Sequence, residues 1–170
     1  MTLQEKLNSA VFLRNFVFGV EDSLISTVGL LSGVAIADVP RQTILLTGIV
    51  LIFVEAFSMG VGSFLSEHSA EEYEKQDDVS SRQAVKSAVI MFFSYFVSGF
   101  IPLFPYAVLG VTSAFVISIL LSLLALFVLG VIRAKVSNLR LMKRGLQMLA
   151  VGGAAIFVGV AVGKFMSGFY

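Results

Sequence analysis

A chain of 170 residues that is 57% apolar and only 14% charged, with mean hydropathy +0.93, cannot hide its apolar surface as a water-soluble domain of this size. The net charge of +1 gives no reason to expect nucleic-acid binding. With no Cys and a single His, His68, disulfides, thiolate metal sites and imidazole-rich zinc sites are excluded.

The amino-terminal stretch MTLQEKLNSAVFLRNF lacks the basic start, short apolar run and small-residue cleavage site of a signal peptide. Five continuous apolar runs follow, each near the roughly 20 residues that a bilayer core requires. They predict membrane helices at about 16–37, 43–65, 84–104, 107–131 and 146–168. The breaks between them carry turn chemistry: ADVPRQ, EKQDDVSSRQ, IPLFPY and RAKVSNLRLMKR. Pro102 and Pro105 are expected to stop the third helix and start the fourth. The runs do not alternate as barrel strands do, so the expected fold is an all-α integral membrane protein, a single domain of five transmembrane helices.

Charge predicts the orientation. Lys6, Arg14, Lys75, Arg82, Lys86, Arg133, Lys135, Arg140, Lys143 and Arg144 all fall on the amino-terminal side, leaving only Arg41 and Lys164 of the twelve Lys and Arg on the other. By the positive-inside rule the amino terminus is cytoplasmic and the carboxyl terminus outside or lumenal. A four- or six-span reading would break this sorting.

Lipid and helix packing account for most of the sequence. Gly29 with Gly33 and Gly159 with Gly163 are small-xxx-small pairs, which read as close helix packing. Lipid does not account for Glu21 and Asp22 in the first span or Glu55 in the second, because an ionisable group in a span costs several kcal/mol unless it is paired or hydrated. At a helix rise of about 1.5 Å per residue, Asp22 lies about 9 Å inside its span and Met59 a similar distance from the cytoplasmic end of the second. The two face each other if the first two helices pack as antiparallel neighbours, with Glu55 one turn deeper. Glu21 points about 100° away from Asp22, so only one of the two is expected to line the same path. No Lys or Arg lies deep in any span, so a cation to pair with Asp22 would have to come from another protein.

The second span carries a stripe. Glu55, Met59, Ser63, Glu67 and Glu71 stand at strict i, i+4 spacing, which stacks side chains on one helix face. Glu74 and Asp78 continue it if the helix runs past the membrane surface to about 74–78. Carboxylates, a hydroxyl and a thioether suit a divalent cation of intermediate hardness, such as Fe²⁺ or Mn²⁺. On this reading Glu67, Glu71 and Glu74 gather ions at the cytoplasmic mouth, while Asp22, Met59 and Glu55 hold a partly dehydrated ion. Asp22, Glu55 and Glu21 are the candidates for proton coupling, since ion and proton compete for one carboxylate. The bland readings stand beside these. Glu67, Glu71, Glu72, Glu74, Asp77 and Asp78 also fit a solvated acidic face, Met59 also fits packing, and His68 fits an interfacial residue.

These residues carry a family resemblance. FVFGVEDSLISTVGLLSGVA (Phe16 to Ala35) resembles the first helix of the vacuolar iron transporter family, and EAFSMGVGSFLSEHSAEEYE its second helix, with a Ser-Met-Gly-x-Gly core before an acidic extension. SGFIPLFPY (Ser98 to Tyr106), LALFVLGVIRAKVSN and MLAVGGAAIFVGVAVGK are similar to later segments of the family, in order. The resemblance implies a five-helix homodimer that moves ferrous iron, and often manganese, out of the cytosol in exchange for protons. The family's intramembrane Asp falls on Asp22 and its translocation-path Met on Met59. There are two departures. The cytoplasmic metal-binding domain that plant-type members insert after the second span is absent, and Glu21 and Ser23 flank Asp22 where a neutral residue and Gly are usual.

The expected function is therefore proton-coupled export of Fe²⁺ or Mn²⁺ as substrate, with no resident cofactor and no enzymatic activity. The partners are divalent metal ions, protons and lipid, and the expected location is a prokaryotic plasma membrane (a vacuolar-type membrane in a eukaryote). The alternative is a noncatalytic membrane subunit whose acids dock a basic partner. An intramembrane enzyme is disfavoured by the lack of a second His, a Cys, a Ser/Lys dyad or zinc-protease spacing.

Overall fold

The computed structural model describes residues 3–75, 81–137 and 139–168, with side chains placed from Ala10 to Glu74 in the first stretch. The described chain folds as α1 (Leu3–Ile36), α2 (Arg41–Lys75), α3 (Arg82–Val108), α4 (Val111–Val136) and α5 (Leu141–Ser167), with no strand among the described residues. All five helices are long and apolar enough to cross a membrane. Apolar runs of this length become helices because a helix satisfies its backbone polar groups internally, with no help from solvent. α2 passes without a break from its apolar half through the acids to Lys75; Asp77 and Asp78 lie outside the described residues.

α1 is the axis of the bundle. Half of its membrane window is buried against other helices, compared with 17% for α5 at the periphery. α5 fits against α1 through the two small-residue pairs, which meet face to face: a Cβ built on Gly33 would lie 2.6 Å from the Gly159 carbonyl oxygen. Any side chain there would force the helices apart. α3 approaches α1 at Gly19, where a Cβ would lie 3.1 Å from the Met91 carbonyl oxygen. α2 leans mainly on α3 rather than on α1, with Ile52 packed over Gly99 and Leu103 beside Gly48. α4 closes the bundle against α5, α3 and α1.

The prolines do not part the third and fourth helices as expected. Pro102 and Pro105 both lie inside α3, which continues to Val108. Each ring removes a backbone N–H and frees a carbonyl one turn back, which ordinarily ends or kinks a helix. Here both rings are fully buried, and donors from neighbouring helices hold the segment. Ser118 Oγ of α4 donates to the Pro102 carbonyl at 2.7 Å, and Arg41 at the start of α2 donates from Nε to the Tyr106 carbonyl at 2.6 Å and from Nη2 to the Ala107 carbonyl. The turn comes later, at Leu109 and Gly110, where the Leu109 N–H donates to the Pro105 carbonyl at 2.9 Å. α4 also runs beyond its expected end at about 131 and carries Arg133 in its last turn.

Chain direction gives the bundle two distinct faces. The near face holds the starts of α1, α3 and α5 and the ends of α2 and α4; the far face holds the opposite ends. Toward the far face Leu31, Ile44, Ile52, Leu103, Tyr106 and Ala114 form a buried cluster.

Candidate functional site

A cavity of about 770 Å³ lies at the near face, where α1 and α2 diverge because α2 is drawn toward α3. Its lining joins Asn15 and Glu21 of α1, Met59 and Ser63 of α2, Met91 of α3 and Arg133 of α4. The wall of α2 is made of small and polar residues: a Cβ built on Gly62 would meet nothing within 4 Å. Asn15 is buried, and its Nδ2 has no hydrogen-bond partner among the described residues. Two thioethers, a carboxylate, an amide and a hydroxyl therefore converge on one space of bilayer depth.

Each charged group around this space has a definite place. Glu21 Oε2 lies 3.9 Å from Arg133 Nη1, inside ion-pair range but too far for a hydrogen bond. Glu21 thus has a cation from its own chain, whereas Asp22, for which a partner from another protein is expected, has no ion pair among the described residues. Five further residues of helix at the end of α4 (131 to 136) carry Arg133 back over α1. At the outer rim Arg14 Nη2 donates to Glu67 Oε2 at 3.0 Å and ties α1 to α2.

Asp22 sits one residue from Glu21 and is not among the residues lining the cavity. It lies instead within electrostatic reach of Glu55 on α2. Tyr95 of α3 lies within reach of both. The Tyr95 side chain is fully buried, its hydroxyl 2.7 Å from Ser26 Oγ, and its carbonyl accepts a hydrogen bond from Ser23 Oγ at 2.7 Å. Ser23 and Ser26, on either side of the same helical turn, fix α3 against α1 beside Asp22.

The sequence-predicted residues thus separate into groups. Glu21 and Met59 share the cavity; Asp22 lies outside its lining, within electrostatic reach of Glu55. Glu67 is mostly buried and bound to Arg14. Glu71 is half-buried and Glu74 exposed, with no ion pair to either among the described residues. His68 stacks on Phe64 at 5.5 Å and pairs through Nε2 with Glu72 Oε1 at 3.2 Å, as an interfacial residue would. No three Asp, Glu, His or Cys side chains among the described residues cluster closely enough to hold a metal by themselves. Any ion bound in the cavity would therefore draw on the thioethers and neutral oxygens as well.

Five contributors were not singled out from the sequence: Asn15, Ser26, Met91, Tyr95 and Arg133. A Tyr in an apolar run is itself a signal, since its buried hydroxyl needs a partner. Arg133 figured only in the charge sorting, because its reach to α1 depends on where α4 ends.

Comparison with known proteins places this geometry. The model of the VIT family matches residues 13–85 and 76–164, nearly the whole chain. The chain belongs to the VIT family, the vacuolar iron transporter family that its helices resemble. The two matched pieces meet in the connection between α2 and α3. A vacuolar iron transporter 1 from Tulipa gesneriana is 23% identical over 212 aligned positions, which cover 89% of this chain and 86% of the tulip protein. That alignment is longer than the 170 residues of this chain, so the tulip protein carries sequence that has no counterpart here. With five helices of spanning length and VIT membership, the chain is an integral membrane protein.

Proposed function

We propose that this protein transports divalent metal ions, Fe²⁺ or Mn²⁺, out of the cytosol, in exchange for protons. The observation that carries this reading is the cavity that joins Glu21 to Met59 and Met91 beside the Asp22–Glu55 pair, in a chain of the VIT family. Carboxylate with thioether is a donor set of intermediate hardness, poorly matched to Mg²⁺ or Ca²⁺, which prefer all-oxygen shells. The near face carries ten of the twelve Lys and Arg residues, which supports a cytoplasmic near face and an outward direction of transport.

Proton coupling follows from the second pair. Two carboxylates within electrostatic reach of one another at bilayer depth, Asp22 and Glu55, repel unless a cation or a proton compensates them. A metal ion that occupies Asp22 and Glu55 displaces the proton, and the proton displaces the ion, so both cross on one set of side chains. Tyr95, held by Ser23 and Ser26, lies within electrostatic reach of both. The relative named as an iron transporter supports metal as the substrate, and a homodimer is the assembly that the resemblance implies.

The test is uptake by purified protein in proteoliposomes with an imposed pH gradient, comparing Fe²⁺, Mn²⁺, Co²⁺ and Zn²⁺. Uptake of Fe²⁺ or Mn²⁺ that collapses with the gradient is the expected result. Metal uptake indifferent to the gradient removes the antiport, and no uptake of any metal removes the transport reading.

A further inference from the structure

Glu21 is a carboxylate at bilayer depth, and Arg133 is the cation that faces it across the cavity. The contact is loose: at 3.9 Å no hydrogen bond locks the two groups. The two partners differ in what each has without the other. Arg133 stands in the last turn of α4, where the helix dipole favours a positive charge, and about half of its side chain is exposed. Its long stem lets the guanidinium move to the interface and keep its hydration. Glu21 is less exposed, at 23%, and its neighbour Asp22 has the same sign. Only a cation in the cavity compensates it.

We propose that Arg133 is a built-in stand-in for the transported ion: it compensates Glu21 when the cavity is empty and is displaced when a divalent cation binds there. This deepens the transport reading and rests on it. The cation and the guanidinium exclude one another at Glu21, so Arg133 sets the affinity of the cavity and helps to expel the ion. A divalent ion brings twice the charge and also engages Met59 and Met91, which a guanidinium cannot use as ligands. Arg133 brings no ligand to the metal. It acts through Glu21, as a positioning and competing residue.

The geometry also says why Arg14 does not play this part. Arg14 also lines the cavity, but it is hydrogen-bonded to Glu67 at 3.0 Å. Among the described residues Arg133 is the lining cation that combines a loose contact with a second favourable location.

The experiment is Mn²⁺ binding to purified protein in detergent by isothermal titration calorimetry, together with proteoliposome kinetics, for four variants. Arg133→Gln is expected to bind Mn²⁺ about tenfold more tightly, within the range that couplings between neighbouring groups show, and to lower KM and kcat together because release slows. Arg133→Lys keeps the charge and is expected to restore most of the original affinity. In a Glu21→Gln background, Arg133→Gln is expected to change affinity less than twofold. Unchanged or weaker Mn²⁺ binding in Arg133→Gln overturns the proposal, as does an equal effect with and without Glu21. If Arg133→Gln does not fold, the proposal is decided by Arg133→Lys against Arg133→His at pH 8, where His is largely neutral and is expected to bind more tightly. Failure of the unaltered protein to bind Mn²⁺, Fe²⁺ or Co²⁺ at all overturns the transport reading itself, whereas normal binding that ignores Arg133 overturns only this inference.

Discussion

The two faces of the bundle use arginine in opposite ways. At the far face Arg41 donates to two backbone carbonyls, those of Tyr106 and Ala107, at the end of a helix that two prolines would otherwise weaken. Those acceptors are neutral, they belong to the fold, and no ion in transit competes for them. At the near face Arg14 and Arg133 meet the carboxylates Glu67 and Glu21, which are the groups a divalent cation would seek. The packing follows the same division. The far half holds a buried cluster from Leu31 to Ala114 and an almost wholly apolar groove of about 730 Å³ between α1 and α5, while the near face holds the cavity that carries Glu21 and Arg133. Arg41 on carbonyls is a clamp, Arg14 hydrogen-bonded to Glu67 is a tie between helices, and Arg133, 3.9 Å from Glu21, is the exchangeable one.

The largest expected effect falls on the pair at the base of the near face. Asp22→Asn keeps shape and much of the hydrogen bonding but can neither carry charge nor exchange a proton. Metal-driven proton movement in proteoliposomes is expected to vanish, while circular dichroism and thermal melting stay close to those of the unaltered protein. Transport at the original rate would remove Asp22 from the path and leave Glu21 as the working carboxylate of α1.

At the far face the effect should appear in stability instead. Arg41→Ala removes both donors to the end of α3 and is expected to lower stability by about 2 kcal/mol, the range for hydrogen bonds from a charged group. Mn²⁺ affinity should not change. A loss of affinity without a loss of stability would show that the far face takes part in ion binding, and the contrast between clamp and exchangeable pair would fail.

How far the sequence alone reaches follows the same line. The five helices are legible because hydropathy and charge sorting are properties of the chain itself. Close helix packing at Gly29, Gly33, Gly159 and Gly163 is legible too, but that the two pairs meet each other across α1 and α5 comes from the structure. The continuation of α3 through Pro102 and Pro105 was not legible in the sequence, because a proline reads locally as a helix end, whereas the burial of both rings and the bonds from Ser118 and Arg41 come from neighbouring helices. Nor was the division between Glu21 and Asp22. Helix geometry says that they point apart, but only the lean of α2 toward α3 decides that Glu21 shares the cavity with Met59. Arg133 escaped notice for a related reason: a side chain at a span's edge reads as topology until its partner is known.

Met59→Leu is the next sharpening of the comparison. The volumes are close, so packing should persist. The thioether is lost, and apparent affinity for Fe²⁺ and Mn²⁺ is expected to fall several-fold, with Met91 left as the remaining sulfur in the cavity. Equal affinity for every metal in the Leu variant would make Met59 a packing residue and would leave the oxygens of the cavity to set its selectivity.

The smallest effect is expected at the rim, and there the structure divides what the sequence treated as one group. Glu71 and Glu74 have no ion pair among the described residues, whereas Glu67 is bound to Arg14. Exposed charges act mainly by raising local ion concentration, over a Debye length of about 8 Å at physiological salt. Changing Glu71 and Glu74 to Gln should therefore raise KM modestly at low salt, with the difference fading at high salt and the order of metal preference kept. Glu67→Gln should behave otherwise. It frees Arg14 at the rim, and because Arg14 is 65% exposed the lost pair contributes at most about 1 kcal/mol to stability. Its larger consequence is to loosen α1 from α2 at the mouth of the cavity, which should show as faster amide hydrogen exchange in that part of α2 and a KM shift that salt does not erase. If all three substitutions give the same salt-sensitive KM shift, the Arg14–Glu67 contact is no tie between the helices, and the acids act together as one collector. A changed order of metal preference would instead move the selective site out of the bilayer to the rim.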